Sequence, residues 1–128
     1  MKEFIIKQLP INNKNIYRDF EDNNSFDYYD YVAVFGDVFN NKSYNNINIC
    51  EELFSIFNTH HPDTFRGHSL SVSDIIVLSD VKKVDINNDI YERIGLPKYF
   101  YCNGAGFKDI TKEVEESRTK NKNIFVSY

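Results

Sequence analysis

The run Ile75-Ile76-Val77-Leu78 is the feature that most limits how this chain can fold. Successive side chains of a strand point to opposite faces of a sheet, so four consecutive apolar residues predict a strand that is buried on both faces. Just before this run, Leu70 and Val72 alternate with serines. That alternation predicts a half-buried lead-in strand with a bend at Ser73-Asp74.

Other segments also carry strand patterns. Residues 4–9 predict a strand that ends at Pro10, and residues 29–35 predict another. Residues 99–107 predict a hairpin, because Asn103-Gly104 suits the two positive φ angles of a type I′ turn. Residues 123–128 could add a last strand beside the first.

The main helix is predicted over residues 49–57. Asn48 is a suitable N-cap, and Glu51 stands three residues later, as in a capping box. The pattern places four apolar side chains on its buried stripe, namely Leu53, Phe54, Ile56 and Phe57.

Shorter helical segments complete the pattern. Thr111 is a candidate cap for a charged helix over 112–119, and residues 16–20 have helical spacing for one or two turns. Residues 79–97 form a polar excursion with a short helical turn near 90–94. The 128 residues therefore predict one α+β domain over 1–128. Its expected core is a small mixed or antiparallel sheet, which could curl towards a barrel, packed by the helices at 49–57 and 112–119.

Charge and hydropathy limit the function classes. The formal net charge of −4 argues against direct nucleic-acid binding, which favours a basic face. No stretch reaches the ~20 apolar residues of a membrane span, and the start of the chain lacks a signal-peptide core. We therefore expect a cytoplasmic protein with no membrane partner, in which Cys50 and Cys102 stay reduced.

A polar cluster at residues 66–74 allows three interpretations, namely a structural bend, a binding surface or a catalytic site. His68, a nearby serine and Asp74 could form a base, nucleophile and orienting group, which would make a small enzyme. However, neighbouring strand residues diverge, and no nucleophile-elbow motif is present. The favoured prediction is that the serine hydroxyls bond the backbone at a bend and that no residue is catalytic.

No cofactor or metal is expected. His60, His61, Asp63 and His68 are rich in ligand atoms, but their spacing matches no zinc pattern. The sequence also lacks a phosphate-binding loop and a dinucleotide fingerprint.

Tyrosine and acidic residues allow a protein-binding surface, because tyrosine is enriched at interface hot spots. The candidate partner-binding residues are Asp27, Tyr28, Asp30, Arg66 and His68. The favoured interpretation is nevertheless that the tyrosines, including Tyr99 and Tyr101, cap the core, and that the acidic side chains form a solvated face. Those acidic side chains fall into two groups, Asp19, Glu21, Asp22, Asp27 and Asp30 in the first, and Glu113, Glu115 and Glu116 in the second.

The segments Phe-Arg-Gly-His-Ser-Leu-Ser-Val-Ser-Asp-Ile-Ile-Val-Leu (65–78) and Tyr-Phe-Tyr-Cys-Asn-Gly-Ala-Gly-Phe (99–107) together resemble the YodL-like domain family. The resemblance runs from about residue 4 to 110 and includes the strand at 4–9. Asn103 stands where the family's pattern has an aspartate, so any chemical role of that aspartate is in doubt here.

The resemblance implies a setting rather than a reaction, because such domains are common in bacterial mobile elements and phages. We expect a protein that binds and inhibits or modulates a host or defence-system protein. The most concrete form is counter-defence, as a CRISPR inhibitor or an anti-restriction protein. The alternatives are the small enzyme that uses His68, a serine and Asp74, and a structural or packaging accessory of a mobile element.

Overall fold

The computed structural model describes residues 2–23, 29–31, 45–59, 67–85, 87–88 and 90–119, with the backbone alone at 29–31 and 118–119. Its strands and helices follow one another in the order β1 (Lys2–Gln8), a 3-10 turn (Phe20–Asp22), β2 (Tyr29–Tyr31), α1 (Asn46–Thr59), β3 (Ile75–Lys83), β4 (Tyr91–Asn103), β5 (Gly106–Asp109) and α2 (Thr111–Thr119).

The strands form one sheet with the order β2-β1-β3-β4-β5, in which every neighbouring pair is antiparallel. Antiparallel pairing is one of the two forms predicted. Within the described residues, β2 and β5 are the two edges, so the sheet is open and does not close into a barrel. The fold is therefore α+β, as predicted.

Both faces of the central strand β3 are buried, as the apolar run at 75–78 predicts. Ile76 and Leu78 pack with α1, whereas Ile75 and Val77 pack with Val114 of α2. The sheet thus has an α1 face and an α2 face, and β3 contributes core residues to each.

Helix α1 is longer than predicted, and its cap differs. The helix covers Asn46–Thr59, and the side chain Oδ1 of Asn45 accepts a hydrogen bond from the backbone N–H of Asn48 at 2.8 Å. Asn45 therefore caps the helix, and the assignment of Asn48 as the cap was wrong. Of the predicted stripe, Leu53 and Phe57 are fully buried, while Phe54 and Ile56 are partly buried against the same cluster.

Two local predictions between residues 68 and 97 were wrong. Residues 68–74 form a turn-containing segment rather than a lead-in strand. Residues 90–94 extend β4 instead of forming a helical turn, because Lys82 pairs with Glu92 and Asp80 with Ile94 across the strands. Cross-strand pairing outweighs the weak helical preference of such a short segment.

The predicted hairpin at 99–107 is confirmed, but its turn type is not. Asn103 pairs with Gly106, so the loop residues are Gly104 and Ala105. A type I′ turn needs a positive φ at both loop residues, and here only Gly106, after the loop, has one, at 128°.

At the start of α2, Thr111 has a different role from the predicted cap. Its Oγ1 accepts a hydrogen bond from the backbone N–H of Tyr99 at 2.9 Å, which ties the helix to β4. Asp109 Oδ1 instead accepts from the N–H of Thr111 at 2.9 Å. The strand predicted at 123–128 and the end of the strand predicted at 29–35 lie outside the described residues.

Candidate functional site

The cluster predicted at 66–74 is organised around Asp74, which is completely buried. Its Oδ2 accepts hydrogen bonds from Gln8 Nε2 at 3.0 Å and from the backbone N–H of Ser71 at 2.8 Å. Gln8 Nε2 also lies 2.8 Å from the carbonyl oxygen of His68. These contacts fasten the segment before β3 onto the end of β1.

His68 is placed as a structural residue. Its Nδ1 lies 2.9 Å from the carbonyl oxygen of Ser69, and its Nε2 lies 3.2 Å from the carbonyl oxygen of Leu9. A neutral imidazole donates from one ring nitrogen, so the tautomer decides which of the two carbonyls is hydrogen-bonded. In either tautomer both nitrogens lie against backbone carbonyls, whereas a general base needs a free lone pair directed at its substrate. The ring is therefore oriented to bridge two backbone segments.

The serines of the cluster are also engaged with the backbone. Ser71 Oγ donates to the carbonyl oxygen of Ser69 at 2.7 Å, and Ser73 Oγ accepts from the backbone N–H of Tyr17 at 3.2 Å. Ser73 itself has a φ of 85° and is fully buried. The structure thus brings His68, the serines and Asp74 together, but in contacts typical of a backbone clamp rather than a triad.

Burial dominates the electrostatics of Asp74. Loss of solvent raises the pKa of its carboxyl to about 7, although hydrogen bonds from Gln8 and Ser71 and the nearby His68 all act to lower it. Its Oδ1 has no hydrogen-bond partner within the described part of the chain. Ionisation of this buried carboxyl therefore lowers the stability of the fold, and this effect depends on pH.

The two cysteines are inert thiols. Cys50 and Cys102 are both free and buried, on the α1 face of the sheet. Burial raises the pKa of Cys102 to about 12 and that of Cys50 further still. Because the thiolate is the reactive form, neither side chain is suited to nucleophilic chemistry.

The residues predicted to bind a partner are described only in part. Asp27, Tyr28 and Arg66 lie outside the described residues. The backbone of Asp30 lies in β2 opposite Lys7, and His68 contacts Gln8 and Leu9, so both belong to the same end of β1. Their role in partner binding stays a prediction.

Tyr99 and Tyr101 are core residues, in agreement with the favoured interpretation of the tyrosines. Both rings are buried on the α2 face. The hydroxyl of Tyr101 donates to the carbonyl oxygen of Arg18 at 2.7 Å and accepts from Asn23 Nδ2 at 2.9 Å. Neither tyrosine is available to a partner.

Part of the first acidic group also has a structural role. Asp19 Oδ1 accepts from the backbone N–H of Gly104 at 2.8 Å, and Glu21 Oε1 lies 2.7 Å from Lys108 Nζ. At the same hairpin, Asn103 Oδ1 accepts from the N–H of Phe20 at 3.0 Å. A carboxylate could accept that bond equally well, so Asn103 can fill the place of the family's aspartate without any chemical role.

The surface that sequence reasoning missed is the far end of the β3–β4 pair, here called the distal ribbon (residues 80–84 and 90–96). Within the described residues, β1 pairs with β3 only as far as Asp80, and β5 pairs with β4 only over residues 100–103. In the described chain, six large hydrophobic side chains are exposed, and the ribbon holds four of them. These four are Val84, Ile90, Ile94 and Leu96.

A large bulge shapes the ribbon where it leaves the sheet. Leu78 pairs with Lys98 and Asp80 with Ile94, so three residues of β4, 95–97, stand opposite Ser79 alone. Gly95 allows this with a φ of 74°, and Leu96 is 73% exposed. Bulges redirect side chains and are frequent next to functional sites. Ile90, Glu92 and Ile94 lie on one face of the strand, so this segment lacks the apolar and polar alternation that would have indicated it.

Among the described residues, no group of three or more His, Cys, Asp or Glu side chains is placed to hold a metal ion, and His60, His61 and Asp63 lie outside them. No helix within the described ranges has the length and apolarity needed to cross a membrane. The prediction that no cofactor is needed stays a prediction.

Comparison with known protein families gives a match over most of the chain. The model of a family described as the YodL-like domain matches residues 10–112, which is most of the chain. No curated protein and no solved structure matches.

Proposed function

Because the chain belongs to the YodL-like domain family, we propose that it is a binding module that inhibits or modulates a host protein by stoichiometric association. The most concrete form is counter-defence, as a CRISPR inhibitor or an anti-restriction protein. The setting in bacterial mobile elements and phages that the resemblance implies supports this choice.

The observation that carries the proposal is the exposed apolar surface of the distal ribbon. Side-chain alternation along the strands puts Val84, Ile90 and Ile94 on one side, and Leu96 protrudes from the bulge beside them. The pair of Lys82 and Glu92 lies on the same side, between Ile90 and Ile94, so one charged pair interrupts the apolar side chains. Single exposed apolar residues are ordinary, but four within so short a segment favour a protein–protein contact. The ribbon carries charges of both signs, as in the cross-strand pair of Lys82 and Glu92, which suits a protein better than a nucleic acid.

The inactive character of the polar cluster also supports binding over catalysis. His68 and the serines direct their polar atoms at backbone groups, and the cysteine thiols are held protonated by burial. A stoichiometric inhibitor needs a stable surface and no reacting group.

The test is capture from lysate of a bacterial host, followed by binding kinetics with the captured protein. Leu96→Asp should weaken binding by about thirtyfold or more, because a hot-spot residue contributes at least ~2 kcal/mol. Ile11→Asp is the matched control, since Ile11 is 66% exposed and lies outside the ribbon. It should change the affinity by less than about twofold.

Equal losses for Leu96→Asp and Ile11→Asp would contradict the proposal. So would a partner whose binding ignores both substitutions. A captured structural protein of a mobile element would instead favour the packaging role. Turnover of a small molecule that depends on His68 would favour the enzyme.

A further inference from the structure

A groove on the α1 face lies at the opposite end of β4 from the distal ribbon. It has a volume of about 230 Å³, and α1 and the β4–β5 hairpin form its walls. Glu51 and Phe54 line it from the helix, and Cys102 and Phe107 from the strands. Gly104 and Gly106 supply bare backbone at its rim, and we call it the hairpin groove.

The hairpin groove combines aromatic rings with one charge. Phe54 and Phe107 meet edge to face with their ring centroids 6.3 Å apart. Glu51 precedes Phe54 by three residues, so both side chains lie on the same side of α1. Glu51 is the only charged residue in the lining, and within the described chain it forms no ion pair.

Size and charge limit the occupant. Sites for drug-sized molecules measure roughly 300–1,000 Å³, so a groove of about 230 Å³ suits a single side chain better than a nucleotide. A carboxylate beside two aromatic rings favours a cation, which the rings attract through their negative faces. The mostly apolar lining favours a weakly hydrated cation, and guanidinium is more weakly hydrated than ammonium.

We infer that the hairpin groove binds an arginine side chain of the partner protein, with the guanidinium stacked on Phe54 or Phe107 and paired with Glu51. The inference rests on the proposed function, because it assumes a protein partner. It adds a second contact that is separate from the distal ribbon, and it names the chemistry of the residue bound.

The test uses a short capped peptide, acetyl-Gly-Arg-Gly-amide, titrated into the full-length protein while backbone amide shifts are followed by NMR. The matched probe carries citrulline in place of arginine, which keeps the planar shape and removes the charge. We expect the arginine peptide to shift the amides of Gly104 and Gly106 and to bind about fivefold more tightly than the citrulline peptide.

Two variants separate a specific pair from a general charge effect. Glu51→Gln should weaken the arginine peptide by about fivefold and leave the citrulline peptide unchanged. Glu52→Gln removes the same charge from the neighbouring position of α1, which does not line the groove. It should change the affinity by less than about twofold.

Several outcomes would overturn the inference. These are no shifts with millimolar arginine peptide, equal binding of the citrulline peptide, equal losses in the two variants, or tighter binding of a lysine peptide. Failure here is distinct from failure of the proposed function. If Leu96→Asp failed to capture the partner protein that the wild type captures, the binding role would be supported even if the arginine peptide did not bind.

Discussion

At the residue scale, Asp74 has one satisfied carboxylate oxygen and one without a described partner. Oδ2 accepts from Gln8 and Ser71, while Oδ1 is buried with no hydrogen bond in the described chain. Burial raises its pKa to about 7 from an ordinary value of 3.8. The folded state therefore keeps the carboxyl of Asp74 protonated over a pH range in which the same carboxyl is ionised in the unfolded chain.

This shift predicts a particular pH dependence of stability. Between pH 3.8 and 7 the folded state binds more protons at Asp74, so the free energy of unfolding should fall as the pH rises through that window. The fall between pH 5 and 8 should be on the order of 2–3 kcal/mol. Asp74→Asn cannot ionise, so it should remove most of this slope, as measured by urea unfolding at each pH. Parallel curves for Asp74→Asn and the wild type would contradict the assignment.

Ser73 gives a second prediction at this scale, because its backbone conformation lowers the stability of the fold while its side-chain hydrogen bond raises it. Its φ of 85° is unfavourable for a residue with a Cβ, while its Oγ accepts from the N–H of Tyr17. Ser73→Ala should lose about 1 kcal/mol with the hydrogen bond. Ser73→Gly loses the same bond but relieves the backbone, so it should stay within about 0.5 kcal/mol of the wild type. If thermal unfolding showed Ser73→Ala to be more stable than Ser73→Gly, this prediction would be wrong.

Some of these residue roles could be predicted from the sequence, and others could not. The bend at Ser73-Asp74 and the backbone hydrogen bonds of the serines could be predicted, because small polar residues next to a buried strand commonly bond the main chain. The partner of Asp74 could not, because Gln8 is far away in the sequence and meets it only through the register of β1 and β3.

At the element scale, the distal ribbon is held to the sheet by charged contacts on both faces. On one, Arg93 Nε and Nη2 donate to Oε1 of the buried Glu3 at 2.8 and 2.6 Å. On the other, Lys2 Nζ lies 2.6 Å from Asp80 Oδ1. These contacts tie β1 to the base of the ribbon, beside the bulge.

Arg93→Ala should therefore destabilise the protein by about 1–2 kcal/mol, because it removes the charge paired with a buried carboxylate. Lys112→Ala is the control, since Lys112 is exposed and reaches Glu116 only at 4.0 Å. It should change the free energy of unfolding by less than about 0.5 kcal/mol. Chemical denaturation of both variants would decide, and similar values for the two would argue against a structural role for Arg93.

Elements with a regular spacing of apolar residues could be predicted from the sequence, whereas the distal ribbon could not. The apolar run at 75–78 and the stripe of α1 gave strong signals, and both elements are present. Among the described residues of 79–97, Val81 is buried but the other Val, Ile and Leu side chains face solvent, so the regular burial pattern that normally indicates a strand is missing. Gly95 and Pro97, which follow the helical turn predicted near 90–94, instead belong to a bulge within β4.

At the scale of the whole molecule, β4 connects two surfaces. Its start forms the distal ribbon with exposed Ile94 and Leu96, and its end forms the wall of the hairpin groove at Cys102. Between them, Tyr99 to Tyr101 are buried against both helices' clusters. A partner that contacts both ends would therefore bind a rigid strand, with little ordering cost.

The central claim is that the distal ribbon contacts a protein partner, and site-specific photo-crosslinking in host cells tests it most directly. A photoreactive phenylalanine analogue would be placed at Leu96 in one variant and at Lys112 in α2, whose side chain is 83% exposed, in the control. We predict that one host protein is crosslinked at position 96 and not at position 112. Crosslinks of equal yield at both positions, or none at position 96 while activity in the host is retained, would contradict the account.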